Sequence, residues 1–143
     1  MPQAPAFNKT ILVVDDEAIE RTKASFVLRC EGCTVIEADC YKSAVAMFEA
    51  KPAPVALLVS DLSLPDGDAC ELALQLREYQ PDLRVLFVSG DAGAEVCRFY
   101  DLDQTCVHFL RKPFTAMQLS EGVHRVLNAA EPFPQLHRKY RTA

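Results

Sequence analysis

Five short apolar runs, each followed by a stretch with helical spacing, constrain this chain more than any other feature. They are TILVV (10–14), CTVIEA (33–38), VALLVS (55–60), LRVLFVS (83–89) and CVHFL (106–110). Each is rich in Val, Ile, Leu or Phe, as strands covered on both faces are. Between them Ala44, Met47 and Phe48 mark one helix, and Cys70, Ala73 and Leu74 another. Leu119, Val123, Val126 and Leu127 mark a third at i, i+4, i+7 and i+8. Asp68 with Glu71, and Thr115 with Gln118, read as helix caps followed by an acid or amide one turn on. A fourth helix, around 92–100, carries a glycine and only a weak apolar stripe.

Such alternation predicts an α/β fold, a doubly wound five-stranded parallel sheet with helices on both faces and right-handed crossovers. With 143 residues, half of them hydrophobic, one core is expected. The carboxyl ends of the strands then share one edge, where ligands of such folds bind. Asp15 and Asp16 follow the first strand, Asp61 the third, Ser89 closes the fourth and Lys112 follows the fifth. Asp15 or Asp16 taken singly is equally well explained as a cap for the next helix. Taken together, clustered carboxylates repel one another and raise each other's pKa unless a cation compensates. The constellation therefore predicts both the nearby lysine and a bound metal, and oxygen ligands at a solvent-facing rim suit a hard ion such as Mg²⁺.

Charge and hydropathy exclude other classes. A net charge of -5 argues against direct nucleic-acid binding or an anionic membrane surface. No apolar run approaches the roughly 18 residues of a membrane helix. The start MPQAPAFNKT lacks the pattern of a secretion signal, so a cytoplasmic location is expected. The six cysteines then read as small buried hydrophobes in a reducing compartment, with Cys33 opening a strand and Cys30 sharing a helix face with Ile19 and Phe26. Cys30 and Cys33, in CEGC, have the spacing of a redox or zinc pair, but no second ligand pair stands at a suitable distance.

The blocks ILVVDDE, VSDLSLPDGD, LFVSG and FLRKPF, in that order, resemble the signature blocks of response-regulator receiver domains. The resemblance covers residues 9–128 and leaves 1–8 as an N-terminal extension and 129–143 as a short tail. It implies a flavodoxin-like (βα)5 fold with strand order 2-1-3-4-5, and a signalling switch that promotes only its own phosphorylation and dephosphorylation. By that resemblance Asp61 is the phosphoacceptor. Asp16, Asp61 and the carbonyl of Ser63 would hold Mg²⁺, with Asp15 acting mainly through a coordinated water, and Lys112 would contact the phosphoryl oxygens. Ser89 would turn toward the phosphoryl group with Phe109 following into the space it leaves, although Phe109 also reads as a plain core aromatic. Ser63 and Asp91 fall where the family tunes dephosphorylation.

The resemblance also implies partners. His108, His124 and His137 stand late in the chain with no partner motif, so the phosphodonor is expected in trans, a histidine kinase or histidine phosphotransfer protein. A downstream protein would read the face made by helix 4, strand 5 and helix 5. The chain reads as a stand-alone regulator or as the receiver of a larger hybrid kinase. Ala69 stands where Gly is usual, QTCVHF lacks a usual Gly-Ala, and Phe109 replaces a common Tyr. Two other classes stay open: a pseudo-receiver acting as an interaction module, and an aspartyl-phosphate hydrolase, ranked last because Ser63 replaces a second Asp. The basic tail HRKYR (137–141) reads as a solvated terminus in preference to a docking segment.

Overall fold

The computed structural model describes residues 8–137. One sheet holds five parallel strands, β1 (Thr10–Val14), β2 (Thr34–Ala38), β3 (Leu57–Asp61), β4 (Arg84–Ser89) and β5 (Phe109–Arg111). They lie side by side in the order β2-β1-β3-β4-β5, the flavodoxin-like order that the resemblance implies. The crossovers carry α1 (Ala18–Cys30), α2 (Tyr41–Glu49), α3 (Ala69–Tyr79) and α4 (Ala94–Tyr100), and α5 (Ala116–Asn128) follows β5. A separate small hairpin pairs Ser63–Leu64 with Gly67–Asp68 directly after β3.

Successive side chains of a strand point to opposite faces, and both faces here are apolar. Leu12, Val14, Leu58, Val85 and Phe87 bury against the layer of α2, α3 and α4. Ile11, Val13, Leu57, Val59, Leu86 and Val88 bury against α1 and α5. Each such side chain fully removed from water stabilises the fold by about 1.5–3 kcal/mol, which is why the interior strands read as unbroken apolar runs. The caps are as the sequence predicts. Asp68 Oδ1 accepts from the Glu71 N–H at 2.8 Å, and Thr115 and Gln118 form a reciprocal capping box.

Three local expectations change. β5 begins at Phe109 rather than Cys106, because the Phe109 N–H folds back onto the Cys106 carbonyl at 3.3 Å. His108, in that turn, is buried with Nδ1 3.0 Å from the Val85 carbonyl, so it serves as a structural residue. On α1 the buried stripe is Ala24, Ser25 and Leu28, while Ile19 is 81% and Phe26 67% exposed and Cys30 is exposed too. The Ile19, Phe26 and Cys30 face therefore turns to solvent. Met47 likewise faces outward on α2.

All six cysteines are free thiols. Burial pushes the Cys33 thiol up to about 11, away from metal-binding or redox chemistry, so the CEGC pair gains no support. Beyond α5 the half-buried Phe133 and Leu136 pack against the core beside α2–α4, while Glu131, Gln135 and His137, the first residue of the basic tail, are exposed. The rest of the basic tail, 138–143, lies outside the described residues, as do residues 1–7 of the N-terminal extension. Among the described residues no helix is long and apolar enough to cross a membrane.

Candidate functional site

The carboxyl ends of β1, β3, β4 and β5 deliver the polar residues to one rim. Asp15 continues β1, its N–H donating to the Ala38 carbonyl at 3.2 Å. Its side chain is 4% exposed as a residue yet fully engaged: Oδ1 accepts from the Glu17 N–H at 2.9 Å and Oδ2 from Lys112 Nζ at 2.8 Å. Asp15 thus serves the turn into α1 and the rim at once. Arg21, one turn into α1, donates to the Asp15 carbonyl at 2.8 Å and holds the backbone of the turn.

Asp61 ends β3, and its Oδ2 lies 3.6 Å from Lys112 Nζ. Lys112 therefore bridges two carboxylates that are far apart in sequence. Asp16 is exposed at the mouth, and one oxygen each from Asp15, Asp16 and Asp61 lie within 4.8 Å of one another. Three carboxylates face one ammonium, an excess of negative charge. Burial, opposed by Lys112 and reinforced by Asp15 and Asp16, pushes the Asp61 carboxyl up to about 6. Burial works against the charge of Lys112 as well, but the hydrogen bond to Asp15 and the charges of Asp61 and Asp15 raise its pKa overall.

The surrounding loops are fixed by contacts of their own. Ser63 sits half-buried in the hairpin opposite Asp68. The hairpin tip is clamped to the start of α2, where Asp66 accepts from the Tyr41 N–H at 2.7 Å and the Lys42 N–H at 3.0 Å. The Tyr41 ring lies so close to Gly67 that an added Cβ would come within 2.9 Å of it. Ser89, 1% exposed at the end of β4, donates its hydroxyl to the Gly90 carbonyl at 2.8 Å. Its own carbonyl accepts from the Lys112 N–H at 2.9 Å, which ties β4 to the lysine loop.

Ser89 and Phe109 lie beside the carboxylate cluster rather than in it. The Ser89 hydroxyl is turned to its own loop, and Phe109 is half-buried against the α2–α4 side of the core. Asp91 stands exposed in a short 3-10 turn, Asp91–Gly93, that runs into α4. Sequence reasoning missed three supports: Arg21, Asp66 and Gly93. Gly93 packs so tightly on Ser89 that a Cβ there would be 1.8 Å from the hydroxyl oxygen. Its only signal in the sequence was a glycine inside a helical stretch.

Comparison with known proteins agrees with this architecture. The model of the response regulator receiver domain matches residues 11–124. The chain is 30% identical over 122 residues to the response regulator receiver protein CpdR of Brucella abortus, a match covering 85% of this chain and 99% of CpdR. It is 35% identical over 118 residues to the sensor kinase CckA of the same organism, covering 82% of this chain but only 12% of that kinase. It spans 54% of the Escherichia coli phosphate regulon regulator PhoB, at 30% identity. Among solved structures, the receiver domain of the hybrid histidine kinase CckA aligns at a TM-score of 0.67 and 30% identity, covering 83% of this chain and 99% of that one. A response regulator receiver protein from Sinorhizobium medicae aligns at 0.70 and 29%, covering 87% and 98%. The chain belongs to the response regulator receiver domain family.

Proposed function

We propose that this protein is a phosphorylatable switch of two-component signalling, with Asp61 as the phosphoacceptor and Mg²⁺ bound beside it. The observation that carries the reading is the bridge made by Lys112, 2.8 Å from Asp15 and 3.6 Å from Asp61, inside a cluster of three carboxylates. A purely structural ion pair needs one carboxylate per lysine. Three acidic side chains around one ammonium leave charge that a hard divalent ion and a phosphoryl group can use between them.

An Asp61 oxygen attacks phosphorus in line with the donor's bond. The bond to the donor breaks as the new oxygen–phosphorus bond forms, giving an acyl phosphate on Asp61. Lys112, held by Asp15, meets the charge on the equatorial phosphoryl oxygens. Asp16, Asp61 and the Ser63 carbonyl would hold Mg²⁺, with Asp15 behind them, and the all-oxygen donor set fits that ion. When bound, Mg²⁺ supplies charge neutralisation to the transferring group. His108 is buried in a structural role, so the donor histidine is assigned to a partner, a histidine kinase or phosphotransfer protein. The chain itself acts only on its own acyl phosphate, with Ser63 and Asp91 tuning its loss.

In the same reading Ser89 leaves the Gly90 carbonyl for a phosphoryl oxygen, and Phe109 and the α4–β5–α5 face follow. Gly93 keeps the resting position available. A Gly93→Ala side chain would meet both the Ser89 hydroxyl and, at 2.9 Å, its Cβ. The expected result is a loss of about 1–3 kcal/mol in chemical denaturation, the usual cost of overpacking. Adding Ser89→Ala should recover part of that loss, since it removes the shorter contact. Equal stability of Gly93→Ala and wild type would contradict the packing.

The function is tested by intact mass after incubation with acetyl phosphate. One phosphoryl group is expected on the wild type with Mg²⁺ and none with EDTA. No addition to a folded, Mg²⁺-binding protein would reject the reading and favour an interaction module that works unmodified.

A further inference from the structure

Past α5 the chain does not leave the domain. It crosses from the α1–α5 side of the sheet to the opposite side along a path of specific contacts. Arg84, at the start of β4, donates to the carbonyls of Val126 and Ala129 at 2.8 and 2.7 Å and turns the chain out of α5. The buried His108 ring, held at Nδ1 by the Val85 carbonyl, lies near the backbone of Glu131. Phe133 then lies under the Arg77 guanidinium of α3, 4.4 Å from its ring centre, and packs with Leu136 against the core.

The path ends on α4. Carbonyls of a helix's last turn need partners from outside the helix. The Tyr100 carbonyl finds one in the His137 N–H, at 2.8 Å. α4 has only seven residues, ends in a left-handed Asp101, and enters from the 3-10 turn that packs on Ser89. A helix that short has little stability of its own and takes its position from what it packs against. At its first end it rests on the Ser89 loop, and at its last end on the segment 131–137.

We infer that residues 129–137 are an intramolecular strap that holds α4 in its resting position, so that release of the strap and displacement of α4 are one coupled event. The strap grips the far end of the helix whose near end touches Ser89. Linkage makes the coupling reciprocal: loosening the strap frees α4, and whatever moves α4 loosens the strap. The resting-state half of this inference does not depend on phosphorylation; the response to phosphate rests on the function proposed above.

Amide hydrogen exchange on the full chain tests it. Two variants release the strap differently: Phe133→Ser with Leu136→Ser removes its apolar anchors, and His137→Pro removes the N–H that caps Tyr100 while keeping both apolar side chains. Exchange of α4 amides is expected to rise roughly tenfold or more in both, with β1 and β3 unchanged. Wild-type exchange in α4, or an equal rise in β1, β3 and α4, would overturn the strap and leave it a mere contributor to global stability. With acetyl phosphate and Mg²⁺, the wild-type His137 amide, the strap N–H bonded to Tyr100, should lose protection together with α4. Loss in α4 alone, on protein whose mass shows the phosphoryl group, would also overturn it. If no phosphoryl group is added, the function reading fails while the variant comparison still decides the strap.

Discussion

Asp61→Asn is expected to take up no phosphoryl group from acetyl phosphate and, in metal-free buffer at pH 7, to melt higher than the wild type. The first half follows from chemistry, since an amide oxygen is no substitute for the carboxylate nucleophile. The second follows from burial. Asp61 has a folded-state pKa of about 6 against an ordinary 3.8. Between those values the folded protein binds more protons than the unfolded chain, so stability falls as pH rises through that window. Above pH 6 the cost of ionising Asp61 is fully present, and Asn removes it. Discounted for the partial exposure of the side chain, the gain is about 1 kcal/mol, or roughly 3 °C. Scanning calorimetry from pH 4 to 8 should show the two proteins converging toward pH 4. Mg²⁺ should narrow the gap at pH 7, because it binds the charged wild type better. A variant that melts lower than wild type in EDTA would show that the Asp61–Lys112 attraction outweighs the burial penalty.

This opposition between stability and chemistry explains what was legible in the sequence. The rim residues could be read because parallel α/β topology sends every strand's carboxyl end to one edge, and Asp15, Asp16, Asp61, Ser89 and Lys112 each stand at such an end. Interior strands could be read because burial on both faces favours apolar letters, with Ser60 and Ser89 the buried polar exceptions near the carboxyl ends. The start of β5 could not, because CVH has the letters of a strand but serves a turn and a buried imidazole. On α1 the stripe carrying Ile19 and Phe26 faces solvent, and Ala24, Ser25 and Leu28 are buried in its place.

Supports that act through space left no local trace. Asp66 caps a helix 24 residues before it, and nothing in PDGD points there. In the sequence Gly93 looks like a weak spot in a helix around 92–100, whereas it ends the turn before α4 and packs on Ser89. The strap is hidden for a similar reason: Pro132 and Pro134 break any periodicity, so the segment reads as a frayed end although Phe133 and Leu136 are packed. Its anchors, Arg84, Arg77 and Tyr100, come from three other elements.

Lys112→Ala should separate the two roles of the rim most sharply. The ammonium is the cation that neutralises the nearly buried Asp15 at 2.8 Å, and the donor aimed at the transferring group. Its loss leaves Asp15 charged and without its ion-pair partner, which should cost about 2–4 kcal/mol in EDTA. Phosphorylation by acetyl phosphate with saturating Mg²⁺ should slow by about 10²–10³-fold, the usual effect of removing one preorganised electrostatic donor. The response to metal is the discriminating measurement. Without the ammonium the cluster carries one more net negative charge, so Mg²⁺ should bind more tightly and restore part of the lost stability. It should not restore the rate, because Mg²⁺ held by the carboxylates would supply charge neutralisation but not the hydrogen-bond donor that Lys112 offers the transferring group. Recovery of both rate and stability with Mg²⁺ would mean that Lys112 only balances charge. Recovery of stability alone identifies it as the group that meets the phosphoryl oxygens, with Asp15 as the residue that holds it there.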